Sequence, residues 1–204
     1  MLNEKIIVLK ETELLKNISW SENFFTHSKQ IILKNILTYA QEYDKELAEN
    51  DPEYKQLVAY MIYRYKGKIF VMQRDKKNSC LDYKYSIGIG GHLTKDDIKK
   101  KFSLWGEREL REEVEIKKAY KISFFGFIND NSNEIGKKHF GIVYLLEGNS
   151  PNISIASELK TGQLIQYSEL NNIINKSESW SLLLINALKK KKIHKRKETI
   201  FNFI

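Results

Sequence analysis

The chain has one cysteine, Cys80, only two prolines, and no apolar run near the roughly 18 residues that span a membrane. A lone cysteine excludes internal disulfides and cysteine-based metal clusters, and it fits a reducing, cytoplasmic setting. No membrane partner is expected. The N-terminus, MLNEKIIVLKETELL, sets acids inside its short apolar stretch and so does not read as a secretory signal. Nucleophile chemistry is also missing its marks. The serines form no elbow pattern, and Cys80 has no histidine near it in sequence to make a thiolate pair. The glycines of Gly88-Ile89-Gly90-Gly91 do not open a helix in the manner of a dinucleotide or phosphate loop. The scarcity of proline, beside abundant Lys, Asn and Ile, suggests an AT-rich genome and carries no chemistry.

What is present is enough for an ordinary core. Of 204 residues, 42% are apolar and 12% aromatic, which excludes a disordered chain and fits one domain with appendages. The net charge of +8 is unevenly placed, because Lys189–Lys197 (KKKKIHKRK) holds nearly all of the excess. The preferred reading of this tail is a solvated helix end, where the helix dipole favours cations. The alternative is a nucleic-acid or polyphosphate contact. There is no internal repeat and no low-complexity linker.

The pattern along the chain alternates strands and helices. Residues 5–9 (KIIVL) read as a strand, and Glu11 to Leu15 as a turn or a helix start. Apolar residues at helical spacing predict a helix from about Thr26 to Leu47, ended by Asn50-Asp51-Pro52. His27, near its start, reads as a surface or capping residue. Gln56–Tyr65 and Lys68–Gln73 flank Lys66-Gly67 as a hairpin would. Further strands are expected at Ala119–Ile128, His139–Glu147, Ile153–Ala156 and Gln163–Tyr167. Asn129–Asn133 gives a strong turn signal. A short helix should begin at Ser168, and a last amphipathic helix should run from Ser179 to Lys191.

The informative stretch is Gly88 to Ile116. Within it Arg108-Glu109-Leu110-Arg111-Glu112-Glu113 puts three carboxylates at i, i+3 and i+4, on one face of a helix. Like charges that close destabilise the helix unless something positive offsets them. A hard divalent cation, Mg²⁺ or Mn²⁺, is the natural candidate, since it prefers oxygen ligands. Leu110 and Val114 give the same helix an apolar face to bury.

A Gly-Gly loop followed by R-E-L-R-E-E resembles the Nudix hydrolase signature, G-x5-E-x7-R-E-U-x-E-E-x-G-U with U aliphatic. Aligned on Gly91, the first acid falls on Asp97. The spacer to Arg108 then holds ten residues instead of seven, and Glu115 stands where the last glycine would be. Tyr54–Leu57, Ser86–His92, Gly126–Asn133 and Glu178–Ser181 are similar to one branch of predicted phosphoesterases in that family, in which both departures are common.

The resemblance implies an α/β fold, an α/β/α sandwich around a central mixed sheet. It also implies metal-dependent hydrolysis of a nucleoside diphosphate linked to another group, or of a related small phosphate. Glu112 and Glu113 would be metal ligands and Glu109 a ligand or the base, with the Gly91 carbonyl a further metal contact. Arg108 would orient a glutamate of the helix. Arg74, at a strand end, would face substrate phosphates or be a surface arginine. His92 would contact phosphate or be a loop histidine satisfied by backbone. Asp97 takes the first acidic position. Glu158, and after it Glu134, are candidates for a distal carboxylate. The division expected is an N-terminal strand-helix extension (1–52), the hydrolase domain (53–188) and a basic tail (189–204). A nucleotide-like phosphate is the expected partner, with nucleic acid at the tail or a homodimer as further options. A ligand-binding or RNA-directed module is the alternative function.

Overall fold

Residues 54–65 form the strand on which everything else is hung, and their composition explains it. YKQLVAYMIYRY is nearly continuous in apolar and aromatic residues, as a strand covered on both faces requires. Leu57, Ala59, Met61 and Tyr63 point to one core, and Val58, Tyr60 and Ile62 to the other. The structure, a computed structural model, describes residues 4–74, 81–155 and 159–201, of which 191–201 are described by their backbone.

In chain order the first half comprises β1 (Lys5–Lys10), α1 (Glu11–Leu14), β2 (Phe24–Phe25), α2 (Lys29–Tyr39), β3 (Gln41–Asp44), α3 (Lys45–Ala48), β4 (Tyr54–Tyr65), β5 (Lys68–Arg74), β6 (Tyr85–Ser86) and β7 (Ile89–His92). The second half comprises α4 (Lys95–Ile98), α5 (Glu107–Glu113), β8 (Val114–Ile116), β9 (Tyr120–Ile128), α6 (Glu134–Lys138), β10 (His139–Gly148), β11 (Ile153–Ile155), β12 (Leu159–Gln166) and α7 (Ser179–Phe201). Short 3₁₀ turns cover Phe102–Leu104, Tyr167–Asn172 and Ile174–Lys176.

Among the described residues the strands make a ten-stranded mixed sheet along β12-β5-β4-β10-β9-β2, with β1, β3, β6 and β7 attached to it. One flank of β4 pairs in parallel with β10. The other is shared in succession by β1, β7 and β5. Lys66 and Gly67, at φ 45° and 78°, make the tight turn between β4 and β5. Helices cover both faces. Leu14, Ile32, Ile36 and Leu110 of α1, α2 and α5 pack on one core, and Leu184, Ile185 and Leu188 of α7 on the other. The architecture is the expected α/β/α sandwich with a central mixed sheet.

Two expectations need correction. The helix from Thr26 to Leu47 is interrupted: α2 ends at Tyr39, Ala40 is extended, and Gln41–Asp44 pair with β1 as a strand. Pairing with the N-terminal strand outweighs the helical spacing, and Asp44 then caps α3 through the Glu46 and Leu47 amides. The acidic helix is also shorter than expected. It stops at Glu113, and Val114 is extended in β8, paired with Ile155 of β11. Val114 stays buried, so the apolar contact survives on a strand instead of a helix.

Candidate active site

The acidic helix lies against the glycine loop. Leu110 and Trp105 are sunk in the core, which turns the opposite side of α5 outward with its carboxylates. Arg108 sits among them. Its guanidinium contacts Glu109 at 2.8 Å, Glu112 at 3.0 Å and Asp97 at 3.3 Å, and it donates to the His92 carbonyl at 2.8 Å. Burial alone would lower the Arg108 pKa, but the carboxylates of Glu109, Asp97 and Glu112 outweigh it and raise it. Glu109 behaves differently. Burial raises its pKa despite the arginine, and the charges of Glu112 and Glu113 add to that rise. With its side chain 12% exposed, Glu109 is the carboxylate that burial presses towards its protonated form, even beside Arg108. Glu112, at 56%, is open to solvent.

Asp97 is placed behind the arginine. It is 1% exposed, forms a capping box with Thr94 and bonds Arg108, so it is one residue removed from any open surface. Gly91 is in direct contact with the helix, and a Cβ there would land on the carboxylate of Glu109. Only glycine lets Glu109 lie across the backbone at this point. The chain thus brings together Gly91, Arg108 and Glu109, with Glu112 on the same turn.

The motif at residues 86–92 is held from the other side of the sheet. The Glu178 carboxylate accepts from Tyr60 and from Ser86, each at 2.6 Å, and from Ser181 at 3.2 Å. Ser181 in turn accepts from the Ile87 amide at 2.9 Å. This buried network ties the glycine loop to α7, and burial raises the Tyr60 pKa. Asn129–Asn133 builds a similar bracket. Asn133 caps α6 and donates to Ser179, while Lys55 is buried against Asn131 and the Gly136 carbonyl. Burial lowers the Lys55 pKa to about 8.

On this same face lies a cavity of about 900 Å³. Its walls include Tyr60, Gly90, His92, Lys84, His139 and Trp180, with Glu134 and Glu49 at the edge. None of the helix carboxylates lines it, and the strand residues Gly90, Gly91 and His92 stand between it and the acidic cluster. His92 projects here. Its Nε2 is 3.2 Å from Nε2 of His139, and burial, with His139 next, lowers its pKa to about 3. The sequence did not single out His139, Glu49 or Tyr60. Their nearness is created by strand pairing and leaves no spacing signal in the chain.

The other candidates are dispersed. Glu134 is exposed at the start of α6, paired with Lys137 at 2.7 Å, and the cation holds its carboxyl below the usual range. Arg74 ends β5, with its side chain outside the described residues. Glu158 also lies outside the described residues. The backbone of the basic tail continues α7 to Phe201. His27 contacts the Ser19 carbonyl at 3.0 Å, at the surface. Among the described residues, no helix is long and apolar enough to cross a membrane.

No family model matches the chain. Protein YmaB of Bacillus subtilis is 29% identical over 203 residues, covering 92% of this chain and 98% of that protein. Among solved structures, Tm1382, a candidate Nudix hydrolase, superposes with TM-score 0.74 at 26% identity, covering 91% of this chain and 98% of that one. The Nudix domain of Shewanella oneidensis NrtR, solved with ADP-ribose, aligns at 13% identity and TM-score 0.55, covering 67% and 88%. The second likeness is one of fold alone, whereas the first runs nearly end to end in both chains. Across nine-tenths of its length, this chain shares the fold of a Nudix hydrolase.

Proposed function

We propose that the chain is a divalent-cation-dependent pyrophosphohydrolase acting on a nucleoside-diphosphate-linked or similar small phosphate. The observation that carries this reading is the contact of Glu109 with the Gly91 backbone, beside Arg108 and Glu112. A partly buried carboxylate whose pKa is raised, next to further carboxylates on the same turn, is a donor set suited to a hard cation. Glu109, Glu112, Glu113 and the Gly91 carbonyl would hold Mg²⁺ or Mn²⁺. Bound there, the cation supplies positive charge to developing phosphoryl oxygens and acidifies water.

The chain's own residues supply position and proton traffic. Arg108, held from behind by Asp97 and the His92 carbonyl, fixes the directions of Glu109 and Glu112. Where Glu109 is not itself a ligand of the cation, it is the base that takes a proton from water. The cavity on the other face supports a reading in which the organic part of the substrate rests against Tyr60 and Trp180. A binding-only module would use the same cavity, but it would not need a carboxylate lying over a glycine with two more on the same helix turn.

The test is a substrate panel of dinucleotides, nucleotide sugars, nucleoside triphosphates, ADP-ribose and capped RNA, with and without Mg²⁺ or Mn²⁺. Metal-dependent release of a mononucleotide or phosphate is expected from at least one class. Tight binding of a panel member with no turnover under any metal would assign the chain to the binding modules.

A further inference from the structure

Glu49, His92 and His139 come from three separate elements and converge on one point. Glu49 follows α3, His92 ends β7 and His139 opens β10. Their ligand atoms, one from each residue, all lie within 4.8 Å of one another. We propose that these three residues form a second metal site, of the zinc type and separate from the acidic helix, with its open position facing the cavity.

Three observations support it. The first is spacing. Zn–N bonds of about 2.0–2.1 Å on a tetrahedral ion set two nitrogens about 3.3 Å apart. The two Nε2 atoms are 3.2 Å apart, so an ion can enter without either ring moving far. The second is the tautomer. Nδ1 of His139 lies 2.7 Å from the Ile135 carbonyl, an acceptor only, so Nδ1 carries the proton and Nε2 presents its lone pair to His92. A carbonyl behind a ligating histidine is the usual outer-shell support of a metal site. The third is access. Glu49, His92 and His139 all line the cavity, which leaves a fourth position for water or for an oxygen of a bound ligand.

The donor set also decides the kind of ion. Two imidazoles and a carboxylate suit Zn²⁺ or Co²⁺, whereas the helix offers oxygens and suits Mg²⁺ or Mn²⁺. Glu49 must turn inward from Lys138, which it meets at 3.6 Å. Its side chain is 44% exposed, so the rotation displaces water and disturbs no core. The inference does not depend on the hydrolase reading, since none of the three residues belongs to α5.

The test is titration of the full-length, metal-stripped chain with Co²⁺, followed by Zn²⁺ displacement in a calorimeter. One equivalent should give the intense visible bands of four-coordinate cobalt, while any Co²⁺ taken up by the oxygen donors of α5 should add only weak bands. The triple variant Glu109→Gln, Glu112→Gln, Glu113→Gln should keep the intense bands and the one equivalent that produces them. His139→Ala should abolish them, and the exposed change Glu49→Gln should weaken Zn²⁺ by about tenfold or more. If His139→Ala does not fold, the Glu49→Gln comparison decides alone. Absence of saturable binding to the wild type, affinity unchanged in Glu49→Gln, or loss of binding in the triple variant would each overturn the site.

Discussion

The two faces of the central sheet carry ionisable clusters of opposite construction. On the α5 face, carboxylates from one turn of one helix crowd around Arg108, and burial adds to the strain on Glu109. On the α7 face, two imidazoles and a carboxylate arrive from α3, β7 and β10, and burial keeps His92 neutral. The first cluster is local and charged, and the second is assembled by topology and mostly uncharged. They meet at Gly91-His92, where one backbone step passes from one face to the other. The contrast teaches that a single strand end can offer different donors to the two faces, because alternation along a strand sends neighbours to opposite sides.

The sharpest way to break the contrast is Glu109→Gln. If the α5 face does the chemistry, kcat on the substrate found by the panel should fall by at least about 10²–10³-fold with KM little changed. Near wild-type turnover would move the base to another part of the chain. Next in size is the cation response. At about 100 times its dissociation constant, Mg²⁺ should stabilise the wild type by about 2.7 kcal/mol, or roughly 5–10 °C in Tm. The double change Glu112→Gln, Glu113→Gln should erase that increment in a melting scan, and an unchanged response would remove both ligands from the assignment.

Asp97→Asn probes the support behind the arginine. It leaves Arg108 without its buried anionic contact, and should cost about 1–3 kcal/mol in urea unfolding. A variant as stable as the wild type would show Asp97 to be dispensable. A smaller effect separates the two faces by pH. The folded protein holds His92 near pKa 3 against a reference of 6.5, so the unfolded chain binds the proton more readily. The corresponding stability is complete above about pH 6.5 and is lost as pH falls toward 3. In chelator, His92→Gln should therefore melt with a shallower acid slope than the wild type, and identical slopes would refute the burial argument. The smallest change is expected from the tail, which belongs to neither face. Replacing Lys190, Lys191, Lys192, Lys195 and Arg196 with Gln should leave turnover of a dinucleotide within about threefold. A much larger loss would bring the tail into the site.

The same contrast explains what the sequence could disclose. The acidic helix, the Lys66-Gly67 turn and the strands around them were legible because each is set by neighbours a few residues away. The break of α2 at Ala40 was not, because the strand that follows exists only by pairing with β1. The early stop of α5 has the same cause, with β11 as the partner of Val114. Ser86–His92 and Glu178–Ser181 stood out as motifs, yet the carboxylate that joins them, Glu178, had no assigned role until the fold placed it under Tyr60. His92 and His139 are 47 residues apart in sequence, and no helix or strand periodicity reaches that far.

The parallel pairing of β4 with β10 has a consequence for how this molecule is made. His139 pairs opposite Gln56, 83 residues earlier in the chain. A ribosome must therefore deliver about two thirds of the chain before the middle of the sheet can close. Until then β1 and β4 expose apolar strands with an unpaired flank, in the company of aromatic residues that favour wrong partners. Contacts of such long range also slow the final closure. The N-terminal half of this protein is thus the part left longest with an open sheet flank during synthesis, and the arrival of Phe140–Leu146 closes it.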